Sequence, residues 1–283
     1  MKRYQIVLSI VLGVVIFAGA FLGYYQLNKH RQPNIISASA NELTEQSSSS
    51  SAIPMQTESS GVSAAPAKIA DQKIPILMYH HIRDFSDPND QIGTNLSVSP
   101  NSLARQLDLI AQRGYTTTTF EQLSLGKIVN KPIILSFDDG YENFYTNAYP
   151  ELTKRGMTAV VFIITGLHSA DYLTEGQIKE ISDAGFEIGS HTISHPDLSK
   201  STPGKVLSEV GESKKSLEQI TGKAVHGFCY PSGKYNQSVI EAIRESGYSY
   251  ATTTKSGIGD FSSPFELSRY RVNRDTDINT YIP

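Results

Sequence analysis

The chain has 283 residues, 39% hydrophobic and 19% charged, enough for one domain of ordinary size with segments to spare. A formal net charge of -3 excludes a nucleic-acid binder that relies on a broad basic face. The single cysteine, Cys229, excludes an intrachain disulfide.

Lys2 and Arg3 precede an uncharged, mostly apolar stretch from Ile6 to Tyr25, and Lys29 and Arg31 follow it. A helix of that length spans about 30 Å, the thickness of a bilayer's hydrocarbon core. Ala18-Gly19-Ala20 has the form of a signal-cleavage site, but Phe21, Leu22, Tyr24 and Tyr25 carry the apolar run past it. An uncleaved anchor over residues 1–31 is therefore favoured, with secretion after cleavage as the alternative. The free amine adds to Lys2 and Arg3, so the bulk of the chain is expected outside the cell. Residues 32–72 contain the serine run Ser47 to Ser51 and almost no aromatic side chains. Such a segment buries too little to offset the entropy of ordering it and is expected to be a flexible stalk.

From residue 73 to 283 short apolar runs alternate with helical patterns. Ile74 to Tyr79 predicts a buried strand. Ser99-Pro100 opens a helix carrying Leu103, Leu107 and Ile110 on one face and ending at Gly114. Pro132 to Phe137 is a second strand, followed by a helix finishing at Lys154-Arg155-Gly156. Thr158 to Ile164 is a third, then Thr174 and Gln177 form a capping box for a helix ending at Gly185. Phe186 to Gly189 is a short strand, and Thr202-Pro203 opens a helix with Leu207, Val210 and Leu217 that stops near Gly222. Strands at Val225–Cys229, Ser249–Thr253 and Arg269–Val272, with a helix from Gln237 to Ser246, complete the series. This alternation implies a parallel sheet covered by helices, either open or closed into a barrel.

Polar groups stand where the strands stop. His80 and His81 follow Tyr79; Asp138 and Asp139 follow Phe137; His191 and His195 follow the strand near Gly189; Tyr230-Pro231-Ser232-Gly233 follows Cys229. In parallel α/β folds those strand ends share one face, where active sites lie. Each motif alone has a bland reading, since Asp-Asp-Gly is a common turn and two histidines four apart are often surface residues. Four of them at successive strand ends point to one site. Carboxylate and imidazole together suit a divalent metal, and a second carboxylate beside it suits a general base. His168 and His226 have no such company and are expected to be solvent-facing or structural. A His-Glu-x-x-His helix, the peptidase signature, is absent from the sequence.

Leu135-Ser136-Phe137-Asp138-Asp139-Gly140 and Ser190-His191-Thr192-Ile193-Ser194-His195 resemble the first two motifs of the polysaccharide deacetylase (NodB-homology) family of carbohydrate esterases. The resemblance covers about Ile74 to Val272. It implies a distorted (β/α) barrel, a metal held by Asp139, His191 and His195, and Asp138 as the base that activates water. The metal implied is Zn2+, with Co2+ or Ni2+ as variants. The family's third motif has an arginine two residues before its proline, where this chain has Cys229, so the resemblance implies that any relay from that arginine to the base is lost. Tyr230, Pro231 and Ser232 fall at the oxyanion and substrate positions. The family's late histidine is also missing, as no histidine follows His226.

Pro75-Ile76-Leu77-Met78-Tyr79-His80-His81-Ile82 resembles instead the opening of the subgroup that deacetylates poly-β-1,6-N-acetylglucosamine, and Pro264 to Val272 resembles its closing segment. This likeness implies His80 as the general acid, with His81 as the alternative. The expected partners are an N-acetylated polysaccharide and the membrane, with no nucleic acid and no protein partner. Peptidoglycan is the alternative substrate, and a glycan-binding protein without turnover is the alternative class. Tyr141 and Tyr230 adjoin the motifs and are candidates to stack on a sugar ring.

Overall fold

A computed structural model describes residues 72–282. The strands are β1 (Lys73–Ile74), β2 (Ile76–Tyr79), β3 (His81–Ile82), β4 (Ser97–Val98), β5 (Thr116–Thr118), β6 (Pro132–Phe137), β7 (Val160–Ile163), β8 (Glu187–Ser190), β9 (Gly227–Cys229), β10 (Tyr250–Thr252), β11 (Gly259–Asp260) and β12 (Tyr270–Arg271). The helices are α1 (Gln91–Leu96), α2 (Pro100–Gln112), α3 (Phe120–Ser124), α4 (Tyr149–Lys154), α5 (Glu175–Asp183), α6 (Pro203–Thr221) and α7 (Gln237–Glu245). The expected anchor and stalk lie outside the described residues. Among the described residues no helix is long and apolar enough to cross a membrane.

The main sheet runs in the order β10-β9-β8-β7-β6-β2-β12, all parallel, and β5 pairs with the first half of β6. Its two edges are brought together by one segment. Leu267 exchanges hydrogen bonds with Ala251 and Thr253 beside β10, and three residues later Tyr270 enters the parallel pairing of β12 with β2. The sheet thus curls into a partly closed, distorted (β/α) barrel, the form the family resemblance implies, where the alternation alone left an open sheet and a barrel both possible.

Strand side chains alternate between two cores. Leu77, Tyr79, Ile133, Leu135 and Phe137 turn outward into the large core beneath the helices. Ile76, Ile134, Phe162, Cys229, Tyr250 and Leu267 turn inward and fill the curl with Phe120 and Phe261. The helices cap as their sequences predict: Ser99 accepts from Ser102 N, Thr174 and Gln177 form the capping box, and Gly222 ends α6 in a left-handed conformation. On α6 the buried apolar face is Val206, Val210 and Leu217, whereas Leu207 is half exposed, one position off the stripe. The helix expected after Asp139 has two parts, a π-helical turn at Phe144–Ala148 and then α4.

Candidate active site

The inward face of each strand continues into the loop above it. On β6, Ile134 and Ser136 point inward and Asp138 follows in the same phase; on β2, Ile76 and Met78 are followed by His80. Asp138 is buried, with Ser136 beneath it. Asp139 and Gly140 both turn left-handed, at φ 75° and 76°. A Cβ on Gly140 would meet Ile163 Cδ1 at 3.0 Å, so glycine lets this loop lie against β7. The turn sends the two adjacent carboxylates in different directions.

Asp138 meets a residue not foreseen as functional. Arg269, with no solvent exposure, forks both its oxygens at 2.7 Å from Nη1 and Nη2. Arg269 also bonds Ser136 Oγ, the Thr253 carbonyl and Cys229 Sγ. Burial would raise the Asp138 carboxyl, but the charge and hydrogen bonds of Arg269 outweigh it and hold the group well below its usual range. The expected loss of a relay to the base is therefore corrected: Cys229 has taken the arginine's position in the sequence, and Arg269, entering from the closing segment, has taken its place in space. Asp138, His191 and Cys229 also offer ligand atoms within 4.8 Å of one another. Arg269 stands against two of these three, so the cation of that cluster is the guanidinium itself.

Asp139, His191 and His195 converge as expected, with ligand atoms within 4.8 Å of one another. Asp139 Oδ1 lies 3.3 Å from His191 Nε2 and 3.8 Å from His195 Nε2. Bonds of about 2.1 Å at tetrahedral angles put ligands about 3.4 Å apart, so the donor set fits a divalent ion such as zinc. His191 Nδ1 lies 2.7 Å from the Cys229 carbonyl, which fixes Nδ1 as the protonated nitrogen and frees Nε2 for a metal. Burial works to lower His191, but Cys229 and Asp139 outweigh it and raise the imidazole well above its ordinary value in the metal-free site. His195 is lowered, by burial and then by the charge of His191.

His80 and His81 separate clearly. His80 is buried among Asp138 and Asp139, and its Nδ1 has no hydrogen-bond partner. Burial lowers its pKa, against the pull of the two carboxylates. His81 turns away, stacking on Tyr141 at 3.6 Å and facing Asn143 Nδ2 through Nδ1. Tyr141 in turn stacks on Tyr172, and a cavity of about 250 Å³ lies beside this row, bounded also by Arg83, Glu142 and Asp171.

Within Tyr230-Pro231-Ser232-Gly233 only Ser232 is exposed, at a left-handed φ of 51°. The side chain of Tyr230 is not free to stack on a sugar. It is fully buried, its hydroxyl donates to the Phe265 carbonyl, and its ring stacks on Tyr235. Pro231 is buried as well, so these two shape the loop and leave contact to Ser232.

A family model for polysaccharide deacetylases matches residues 126–251. YxkH of Bacillus subtilis (strain 168), named for that family, is 33% identical over 78% of this chain and 79% of its own length. The chain belongs to the polysaccharide deacetylase family. Two further relatives of this deacetylase differ in the substrates their names state. The peptidoglycan-N-acetylmuramic acid deacetylase PdaA of B. subtilis (strain 168) is 30% identical over 57% of this chain and 60% of its own. The poly-β-1,6-N-acetyl-D-glucosamine N-deacetylase of Staphylococcus aureus (strain MRSA252) is 25% identical over 70% of this chain and 78% of its own. The solved structure of the Streptococcus pyogenes deacetylase PplD in complex with acetate superposes with a TM-score of 0.70 at 32% identity, covering 75% of this chain and 99% of that one. Arg269 carried one sequence signal: a guanidinium inside a run otherwise fit for a buried strand needs a carboxylate partner.

Proposed function

We propose that this polysaccharide deacetylase hydrolyses the N-acetyl groups of N-acetylglucosamine units in an extracellular polymer, with poly-β-1,6-N-acetylglucosamine as the preferred substrate. The observation that carries the reading is the meeting of an arginine-held carboxylate, Asp138, with the Asp139–His191–His195 triad at one end of the barrel. The linkage preference rests on the early His80-His81 motif and on the staphylococcal relative. Peptidoglycan is the second reading, supported by the likeness to PdaA.

A divalent ion held by Asp139, His191 and His195 would supply Lewis acidity toward the acetamide carbonyl and the attacking water. Asp138 stays ionised because Arg269 neutralises it, and both oxygens are fixed in direction, so it is poised to take the water's proton. Ser232 offers its backbone N–H to the oxyanion of the tetrahedral intermediate. The departing nitrogen needs a proton. His80 is neutral at rest, since burial lowers it, and beside Asp138 it can receive a proton and pass it to the amine. Acetate and a free amine leave, and one water is consumed.

Acetate release from β-1,6-linked and β-1,4-linked N-acetylglucosamine oligomers tests this. Faster release from the β-1,6 oligomer is expected, abolished by a chelator and restored by zinc, cobalt or nickel. Release from peptidoglycan fragments alone would transfer the assignment to the second reading. Release that persists after exhaustive chelation would remove the metal from the mechanism.

A further inference from the structure

We propose that Glu209 of α6 is a positioning residue that presets the His191–His195 loop for its metal. This rests on the metal-site reading above and extends it to a side chain with no contact to either imidazole. The loop is unusual in its backbone. Thr192 and His195 both adopt left-handed φ, 69° and 55°, a region that non-glycine residues avoid and β-branched residues avoid most. Such a conformation persists only where the surroundings over-determine it.

The accounting of its amide groups shows what does so. Thr192 N donates to Ser190 Oγ, and His195 N donates to Thr192 Oγ1. The two amides between them go to one carboxylate. Ile193 N and Ser194 N both donate to Glu209 Oε2, at 2.8 and 2.9 Å, and Ser194 Oγ donates to Oε1 at 2.6 Å. Glu209 has no solvent exposure, and Lys205 one turn earlier on α6 balances its charge at 2.6 Å. The loop's carbonyls are held from the other side, with Thr165 N on Thr192 O and Gly166 N on Ile193 O. A segment pinned on both sides leaves the two imidazoles little freedom except to meet at Asp139. A hydrophobic residue at position 209 would take the shared acceptor from the Ile193 and Ser194 N–H groups, and the loop would regain partners for them only by unwinding toward solvent.

The four-residue spacing of His191 and His195 would suffice on a helix, but here the histidines lie on a loop without intrinsic order. On α6, Glu209 is a charged residue on the same side as Val206 and Val210, and it supplies the order. Both N–H groups share Oε2, while Oε1 takes Ser194 Oγ and Lys205 Nζ, so a carboxamide could keep the shared oxygen but would set a donor against Lys205 and remove the charge that strengthens every one of these bonds.

The test is metal affinity of the full chain, measured by chelator competition, together with the rise in melting temperature that zinc produces. Glu209→Gln is expected to weaken metal binding by about 10–100-fold and to shrink the zinc-induced rise. A purely structural glutamate would lower the melting temperature of apo and zinc-bound protein alike and leave the rise unchanged, which would overturn the proposal. If Glu209→Gln does not fold, Ser194→Ala decides. It removes one bond to the carboxylate and opens no cavity, and a several-fold loss of zinc affinity at unchanged apo melting temperature is expected. Parental affinity in Ser194→Ala would overturn the proposal equally. Absence of zinc binding by the parent chain would instead sink the metal-site reading on which this one stands.

Discussion

Arg269 carries a charge where no solvent reaches, and all five of its N–H groups find acceptors: both Asp138 oxygens, Ser136 Oγ, the Thr253 carbonyl and Cys229 Sγ. Removing one partner of such a pair leaves the other charge buried alone. Arg269→Met is therefore expected to cost about 3–5 kcal/mol in denaturant unfolding. The Asp138 carboxyl, with burial no longer opposed, then titrates at higher pH, so the acid limb of the pH–rate profile moves upward. Turnover is expected to fall by about 10²–10⁴-fold, the usual contribution of a placed base. An unshifted acid limb in a folded Arg269→Met protein would separate Asp138 from the base. The carboxylates and histidines of the site were legible in the sequence because each follows a recognisable strand within one to five residues. Arg269 was not, because its partner lies 131 positions away and only the curl of the sheet joins them. Tyr230 misled for the opposite reason, since adjacency to a loop says nothing about which way a ring turns.

Elements were legible in proportion to their length. α2, α5, α6 and α7 carry both a cap and an apolar stripe, and their limits fall within a residue or two of expectation. β5 and α3 escaped notice. The former is three threonines paired only with the start of β6, and the latter is five residues long, too short for a period to show. Both are nevertheless fixed by tertiary contact, and β8 supplies one. Glu187 sits inside the curl beside Gly227 and takes the Glu121 N–H of α3 on Oε2, while Oε1 has no partner. Burial pushes its carboxyl up to about 8, so it is neutral at pH 7. The folded state then keeps a proton that the unfolded chain releases above its ordinary carboxyl range. Stability is fullest below about pH 4.5 and falls as pH rises toward 8, by about 4–5 kcal/mol for this group. Glu187→Gln should flatten that slope and raise the melting temperature at pH 9 relative to the parent. An identical pH dependence in the two proteins would show that Glu187 is ionised as folded.

At the scale of the whole molecule the barrel has two ends with different tasks. The strand starts lie at one end, where Lys73 and Ile74 of β1 pair with Asp260 and Gly259 of β11 in a small separate sheet. The strand stops lie at the other, with His80, Asp138, Asp139 and His191. The described chain therefore begins, at Gln72, on the end away from the residues proposed to act in catalysis. We therefore expect residues 73–283 alone to release acetate from a soluble oligomer at the full-length rate, because the residues proposed for catalysis and both cores lie within them. Residues 1–31 should govern only location: the full chain is expected to sediment with membranes, and its deletion derivative to remain in the supernatant after the same fractionation. A full chain found in the supernatant with its N-terminus intact would remove the anchor from this account. A deletion derivative with a lowered rate on soluble substrate would show that the N-terminal residues act in catalysis as well as in placement.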